Sequence, residues 1–281
     1  MALTTLIDTA TLAAHLGDPA VAIVDCRFLL ADEAWGAREY ASRHIPGAVF
    51  AHLGRDLSGE ITGRNGRHPL PDPQTLSATL GRLGIGDGVQ VVAYDQDSGM
   101  FASRLWWMLR WMGHDAVAVL DGGFAAWTAE GRATTGGVEH RAGCASHGSP
   151  RADMIVDAAG VAARIGKRDW RLLDARAPER YHGEVEPIDR VAGHIPGAVN
   201  HPFMSNLARA GTFLGTQELR EKLADLLGGV PPERIVCYCG SGVTACHNVL
   251  ALEHAGLHGA KLYPGSWSEW SSDPARPVEK P

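Results

Sequence analysis

The chain has 281 residues and a formal net charge of -6, with 45% apolar, 21% charged and 7% aromatic side chains. That balance belongs to an ordinary folded chain and sets aside the disordered and fibrous classes; with no basic footprint to neutralise phosphates, no nucleic-acid partner is expected. No run approaches the roughly 20 apolar residues that span a bilayer and the N-terminus lacks the signature of a secretory signal, so no membrane partner is expected and a cytoplasmic enzyme is.

From the N-terminus, residues 8–16 read as a short helix, with Asp8 as acidic N-cap and Gly17 as the stop. The motif AIVDCR follows at 22–27, then HIPGAV at 44–49, whose Pro-Gly pair fixes a turn. A leucine-spaced helix over 75–83 runs into an apolar strand over 89–94 that ends at Asp95. Trp106, Trp107 and Trp111 recur at helical spacing and read as packing, and DGGFAAW at 121–127 closes the segment. Residues 134–150 are rich in Gly, Ser and Thr with no apolar period, the composition of a linker.

The same order then begins again. A capped helix over 157–165 ends at Gly166, RLLDAR stands at 171–176 and HIPGAV at 194–199, so Asp174 and His194 follow Asp25 and His44 by 149 and 150 residues. A second leucine helix leads into an apolar strand over 234–238, and PGSWSEW at 264–270 answers DGGFAAW. Short Val/Ile/Leu runs alternating with helical segments predict an α/β fold in which each copy is a parallel sheet with helices on both faces. The expected bounds are 1–133 for the first domain, 134–152 for the linker and 153–281 for the second domain.

In such sheets ligands gather where strands end and helices begin, and there the copies part: the first has Asp95 where the second has Cys239. Cys239 opens the loop CGSGVTA between a strand and a helix. Main-chain N–H groups at a helix N-terminus, in a turn freed by Gly240 and Gly242, stabilise a thiolate and lower its pKa. The five cysteines are too few and too uneven for a disulfide framework and suit a reducing compartment with one reactive thiol. The spacing of Cys237, Cys239, Cys246 and His247 matches no common zinc pattern, and neither metal nor cofactor is expected.

The duplicated Asp-x-Arg and His-Ile-Pro-Gly-Ala motifs, the CGSGVTA loop and the first copy without its cysteine together resemble the tandem-domain rhodanese family, across nearly the whole chain. The loop is similar to that of its 3-mercaptopyruvate sulfurtransferases. The resemblance implies a sulfurtransferase in which Cys239 takes sulfur from a small donor as a persulfide and passes it to cyanide or a thiol, with thioredoxin one candidate acceptor. Neutral Gly240 and Ser241, where thiosulfate-preferring members carry basic residues, favour 3-mercaptopyruvate; the alternative donor is thiosulfate.

By the same resemblance Arg180 binds the donor carboxylate, with Arg190 matching a second arginine, while Gly240, Gly242, Val243 and Thr244 line the donor site. Ser241 and His68 resemble two members of a Ser-His-Asp proton relay; for the third, the aligned position is His52, with Asp56 nearby. The paired Asp25/Arg27 and Asp174/Arg176, and His44 and His194, occur in both copies and read as structural. A phosphatase on the same fold would need an arginine six residues after the cysteine, where Ala245 stands. A sulfur carrier with a spent site is set aside by the intact second loop.

Overall fold

The computed structural model describes residues 2–280. The chain divides into two compact units, one of Met1–Gly59, Pro71–Arg151 and Arg209–Thr212, the other of Glu60–Leu70, Ala152–Ala208 and Phe213–Pro281. The division is thus not a single cut: an eleven-residue stretch from the first half, Glu60–Leu70, belongs to the second unit.

In the first unit, strands β1 (Leu6–Ile7), β2 (Val21–Asp25), β3 (Val49–Phe50), β4 (Gln90–Tyr94) and β5 (Val117–Leu120) form one sheet in the order β1-β5-β4-β2-β3. All its pairings are parallel. Its helices are α1 (Thr9–Ala14), α2 (Trp35–Ser42), α3 (Leu53–Asp56), α4 (Pro73–Arg82), α5 (Ala102–Trp111) and α6 (Gly123–Ala129). Connections run both ways from β2, and because such crossovers are right-handed the helices fall on opposite faces. That double cover buries the apolar run of β4 completely from Val91 to Tyr94. Asp8 caps α1 by accepting the Thr11 N–H at 2.6 Å, and Trp106 and Trp107 of α5 are fully buried.

The second unit repeats this plan with β6 (Arg171–Asp174), β7 (Val199–Asn200), β8 (Ile235–Tyr238) and β9 (Lys261–Leu262), in the parallel order β7-β6-β8-β9. Read from the other end, this is the order of β5, β4, β2 and β3. The counterpart of β1 has shrunk to one bridge between Ile155 and Leu262. Its helices are α7 (Ala158–Ala162), α8 (Pro178–Tyr181), α9 (Thr216–Leu227), α10 (Thr244–His254) and α11 (Ser266–Trp270).

The repeated motifs do the same work in each unit. The Arg27 guanidinium binds Asp25 and donates to the Arg43 carbonyl at 2.7 Å; Arg176 binds Asp174 and donates to the Gly193 carbonyl at 2.8 Å. Each pair therefore ties a strand end to the turn before the Ile-Pro-Gly motif. His44 stacks on Tyr40 and His194 on Tyr181, each with Nδ1 bonded to that tyrosine's carbonyl.

The Gly/Ser-rich stretch after α6 runs along the first unit. Arg141 donates to the carbonyls of Val21 and Pro19, the Cys144 N–H to that of Gly81, and the Arg151 N–H to that of Trp111.

Candidate active site

Strand β8 delivers Cys239 to the N-terminal end of α10. Its Sγ accepts the Gly242 N–H at 3.1 Å. Gly242 has φ +78°, and a Cβ there would fall 2.3 Å from the Pro264 carbonyl oxygen, so only glycine fits. The main chain of residue 239 is held on both sides: its N–H donates to Ser266 Oγ at 3.1 Å and its carbonyl accepts the Trp267 N–H at 3.0 Å. Among the described residues one N–H, rather than several, stands at bonding distance from the sulfur. Val243 and Thr244 lie at the start of α10, where first-turn N–H groups have no partner within the helix and the helix dipole favours negative charge.

Environment separates this thiol from the others. None of the five cysteines, all of them among the described residues, is in a disulfide. Burial pushes the Cys26 and Cys237 thiols far up, and Cys246 donates its own S–H to the Gly242 carbonyl at 3.3 Å. Cys239 is only 2% exposed, so a donor reaches it past the side chains that cover the loop. Among the described residues no group of three or more His, Cys, Asp and Glu stands in metal-binding proximity.

Ser241 and His68 meet, with Oγ and Nδ1 2.8 Å apart. Their encounter follows from the placement of residues 60–70 in the second unit. Asn65 closes a local turn onto the Glu60 carbonyl and the Thr62 N–H. Gly66, with φ +87°, approaches so closely that a Cβ would stand 2.8 Å from the Gly265 carbonyl oxygen, and the Arg67 N–H donates to Ser268 Oγ at 3.1 Å. The two residues considered for a third relay member are engaged elsewhere, in the first unit. His52 Nδ1 caps α3 by accepting from Gly54 and Arg55, and Asp56 accepts the His52 N–H at 2.8 Å and the Arg55 guanidinium at 2.9 Å.

Arg180, on α8, is aimed by Glu186 at 2.8 Å and Asp189 at 3.1 Å. Its guanidinium nitrogens stand 3.4 and 3.6 Å from where a Cβ on Gly240 would lie, and Arg67 Nη2 stands 2.9 Å from the same point. The loop's neutral residues are thus overlaid by two cations from other segments. The sequence reading missed Arg67, whose only trace was its place beside His68. It also missed Ser266, whose trace was a mismatch between the copies, Ser266 standing where the first has Gly123. Arg190 is exposed and lines a cleft of about 230 Å³ with Arg67, Asp189 and Ser268; nothing brings it onto the cysteine loop.

The cations are balanced. Arg67 also pairs with Asp189, and Arg176 pairs with Asp174 at 2.6 Å and Glu186 at 3.4 Å, so three arginines face three carboxylates. Burial pushes the Asp189 carboxyl up despite Arg67 and Arg180. For Glu186 burial acts the same way, but Arg180 and the N–H groups of Asp189 and Ile188 outweigh it and leave the carboxyl below its usual value.

The corresponding loop of the first unit is filled by its own side chain. The Asp95 carboxylate accepts the N–H groups of Asp97 at 3.2, Gly99 at 2.9, Phe101 at 2.7 and Ala102 at 3.0 Å. Complete burial still pushes its pKa up against these four bonds.

Residues 8–130 and 157–273 each match the rhodanese-like domain family. The chain is 50% identical over 275 residues to a probable 3-mercaptopyruvate sulfurtransferase of Pseudomonas aeruginosa, covering 97% of both chains. It is 46% identical over 278 residues to a putative thiosulfate sulfurtransferase, SseB, of Mycobacterium tuberculosis, covering 97% of this chain and 96% of the other. It superposes on the crystal structure of SseA from Escherichia coli, a 3-mercaptopyruvate sulfotransferase, with a TM-score of 0.81 and 32% identity, covering 94% of this chain and 99% of that one.

Proposed function

The chain belongs to the rhodanese-like family, and from that membership we propose that it is a sulfurtransferase that moves sulfur from 3-mercaptopyruvate, through a persulfide on Cys239, to a thiophilic acceptor. The Cys239 thiolate attacks the donor sulfur; the new S–S bond forms as the C–S bond breaks, and the electron pair leaves on carbon as pyruvate enolate. The proton of the donor thiol ends on that carbon, with Ser241 and His68, 2.8 Å apart, as the pair that moves it. An acceptor thiolate or cyanide then attacks the outer sulfur and returns the S–S electron pair to Sγ. No external oxidant or reductant enters.

The observation that carries this reading is the Gly242 N–H directed at the Cys239 sulfur at 3.1 Å, at a helix N-terminus, where an anion is favoured whether it is a thiolate or a persulfide. Arg180 and Arg67 over Gly240 are suited to a planar carboxylate. Because the three nearby arginines are already matched by carboxylates, a monoanionic donor fits better than the thiosulfate dianion. The first domain, residues 1–133, lacks a nucleophile and contributes to the chemistry only through the 60–70 stretch, which carries Arg67 and His68 to the second unit; residues 134–152 join it to the catalytic domain, 153–281. Five cysteines in no disulfide suit the reducing cytoplasm, where small thiols or thioredoxin are the expected acceptors.

The test is steady-state transfer to cyanide from each donor, with mass spectrometry of the donor-treated protein. The expected result is higher kcat/KM with 3-mercaptopyruvate, and one added sulfur on Cys239 that is lost on adding acceptor. Faster turnover with thiosulfate would reassign the donor, and no added sulfur with either would discard the mechanism.

A further inference from the structure

Among the described residues Ser266 is alone in having a left-handed backbone without being glycine, at φ +54°, a conformation that an L side chain rarely adopts and that persists where the surroundings impose it. The repeat supplies an internal control. Gly265-Ser266-Trp267 matches Gly122-Gly123-Phe124, and Gly123 has nearly the same φ, +56°. The Trp267 N–H reaches the Cys239 carbonyl at 3.0 Å, as the Phe124 N–H reaches the Asp95 carbonyl at 2.9 Å. The backbone at this one position is therefore alike in both copies, although the glycine before it differs, Gly122 at φ +74° and Gly265 at φ -65°. Where the loop has no nucleophile the position holds glycine, as the geometry asks; where it has one, the position holds serine.

The side chain explains the exception. Ser266 is fully buried; its hydroxyl donates to the Tyr263 carbonyl at 2.9 Å, leaving a lone pair to accept the Cys239 N–H at 3.1 Å. In the first copy a Cβ at position 123 would stand 2.7 Å from the Asp95 carbonyl oxygen and 2.9 Å from the Asp97 nitrogen, so no side chain fits there. Room for a serine exists only against the glycine-bearing loop of the second copy.

We infer that Ser266 is a positioning residue for the nucleophile: its hydroxyl clamps the main chain of residue 239 so that Sγ stays aimed at the Gly242 N–H. The need is chemical. During a cycle the negative charge moves from Sγ to an outer sulfur and back, and the Cα–Cβ vector must hold still throughout. The inference rests on the role proposed for Cys239, but its primary readout, thiol reactivity, needs no sulfur donor.

The test compares Ser266→Ala, which keeps the strained backbone and loses the hydroxyl, with Ser266→Gly, which loses both. The full chain is used with Cys144→Ser, so that the exposed thiol does not react. Measured are the alkylation rate of Cys239 by iodoacetamide across the neutral pH range, the melting temperature, and kcat and KM. Loss of this hydrogen bond is expected to slow alkylation and kcat in both variants on the order of tenfold, shift the alkylation profile to higher pH and leave KM unchanged. The glycine variant is expected to melt higher than the alanine variant, its backbone being relaxed. Folded variants with wild-type alkylation rate and pH profile overturn the inference, whatever their melting temperatures. If alkylation changes as expected while the wild type transfers no sulfur from any donor, the positioning role stands and the sulfurtransferase reading falls.

Discussion

The loops after β4 and β8 end equivalent strands of two like sheets, yet one is closed by its own carboxylate and the other holds a sulfur. Asp95 collects four main-chain N–H groups on two oxygens, whereas Cys239 takes one on its Sγ. The carboxylate oxygens lie one bond beyond the atom that corresponds to Sγ, which is also where the outer sulfur of a persulfide would reach. The comparison teaches that affinity for an anion belongs to the backbone at this strand end, and that the side chain decides whether the anion is permanent or transferable. A second contrast accompanies the first. Tyr40 and Tyr181 are equivalent by their histidine stacks, and the residue before each is Glu39 in the first copy and Arg180 in the second, so the charge at that position is reversed.

The strongest way to break the comparison is to exchange nucleophiles. Cys239→Ser is expected to lower kcat/KM at least about a thousandfold, because a serine hydroxyl stays protonated where a thiol ionises. Adding Asp95→Cys to that variant should restore nothing: the first loop has Asp97 where the second has Ser241, no room for a serine at Gly123 and Glu39 in place of Arg180. The measurement is thiocyanate release, and recovery above about one hundredth of the wild-type rate would mean that the first loop is competent after all.

Next in size is Asp95→Ala. It removes a buried acceptor and leaves four N–H groups without it, which should destabilise the protein by about 3–5 kcal/mol. Urea unfolding measures this, while sulfur transfer per folded molecule should change less than about twofold. A loss below about 1 kcal/mol would show that the loop holds its shape without an anion in it.

Much of this contrast was legible in the sequence. Asp95 and Cys239 align because the flanking motifs recur at nearly constant spacing, and short continuous apolar runs with capped helices give the fold by local rules. Arg67 and Ser266 were harder to read for a physical reason. Arg67 reaches the loop because Gly66 packs against Gly265 and carries residues 60–70 into the second unit, a long-range packing with no local periodicity. Ser266 shows in the sequence only as a mismatch with Gly123, and the φ that gives the mismatch its meaning is encoded by no composition rule. Arg190 shows the converse: its place in the family pattern was readable, but in the structure its side chain is exposed along a cleft rather than over Gly240. Likewise β1 is too short, at two residues, to produce an alternation.

The reversed charge gives a graded test. Arg180→Ala should raise KM for the donor on the order of thirtyfold and Arg67→Ala on the order of tenfold, as loss of one or two charge-assisted hydrogen bonds predicts. Arg190→Ala should stay within about threefold, since an exposed cation contributes little. Steady-state KM at constant ionic strength measures all three. An Arg190 effect larger than that of Arg67 would move the donor carboxylate from above Gly240 into the cleft.

The smallest effect separates the units by acid stability. In the second unit His201 Nε2 donates to Asn206 Oδ1 at 2.8 Å, and Asn206 also bonds His247 and Asn248 on α10. Burial lowers the His201 pKa below its usual 6.5, and it lowers that of His254 as well. A histidine that resists protonation when folded but not when unfolded makes the unfolded state bind more protons near pH 6. Stability therefore falls as pH drops through the unfolded value of about 6.5, by at most about 1.4 kcal/mol per pH unit for each histidine. Melting followed by tryptophan fluorescence, with hydrogen exchange to assign the transition, should show the second unit opening first between about pH 7 and 5.5, and His201→Gln should flatten that slope. Asp95 acts in the same sense: burial pushes its carboxyl up, so the folded first unit takes up that proton more readily than the unfolded chain and does not lose stability through it on acidification; a first unit that opens earlier on acidification would reverse the order of robustness that the two loops imply.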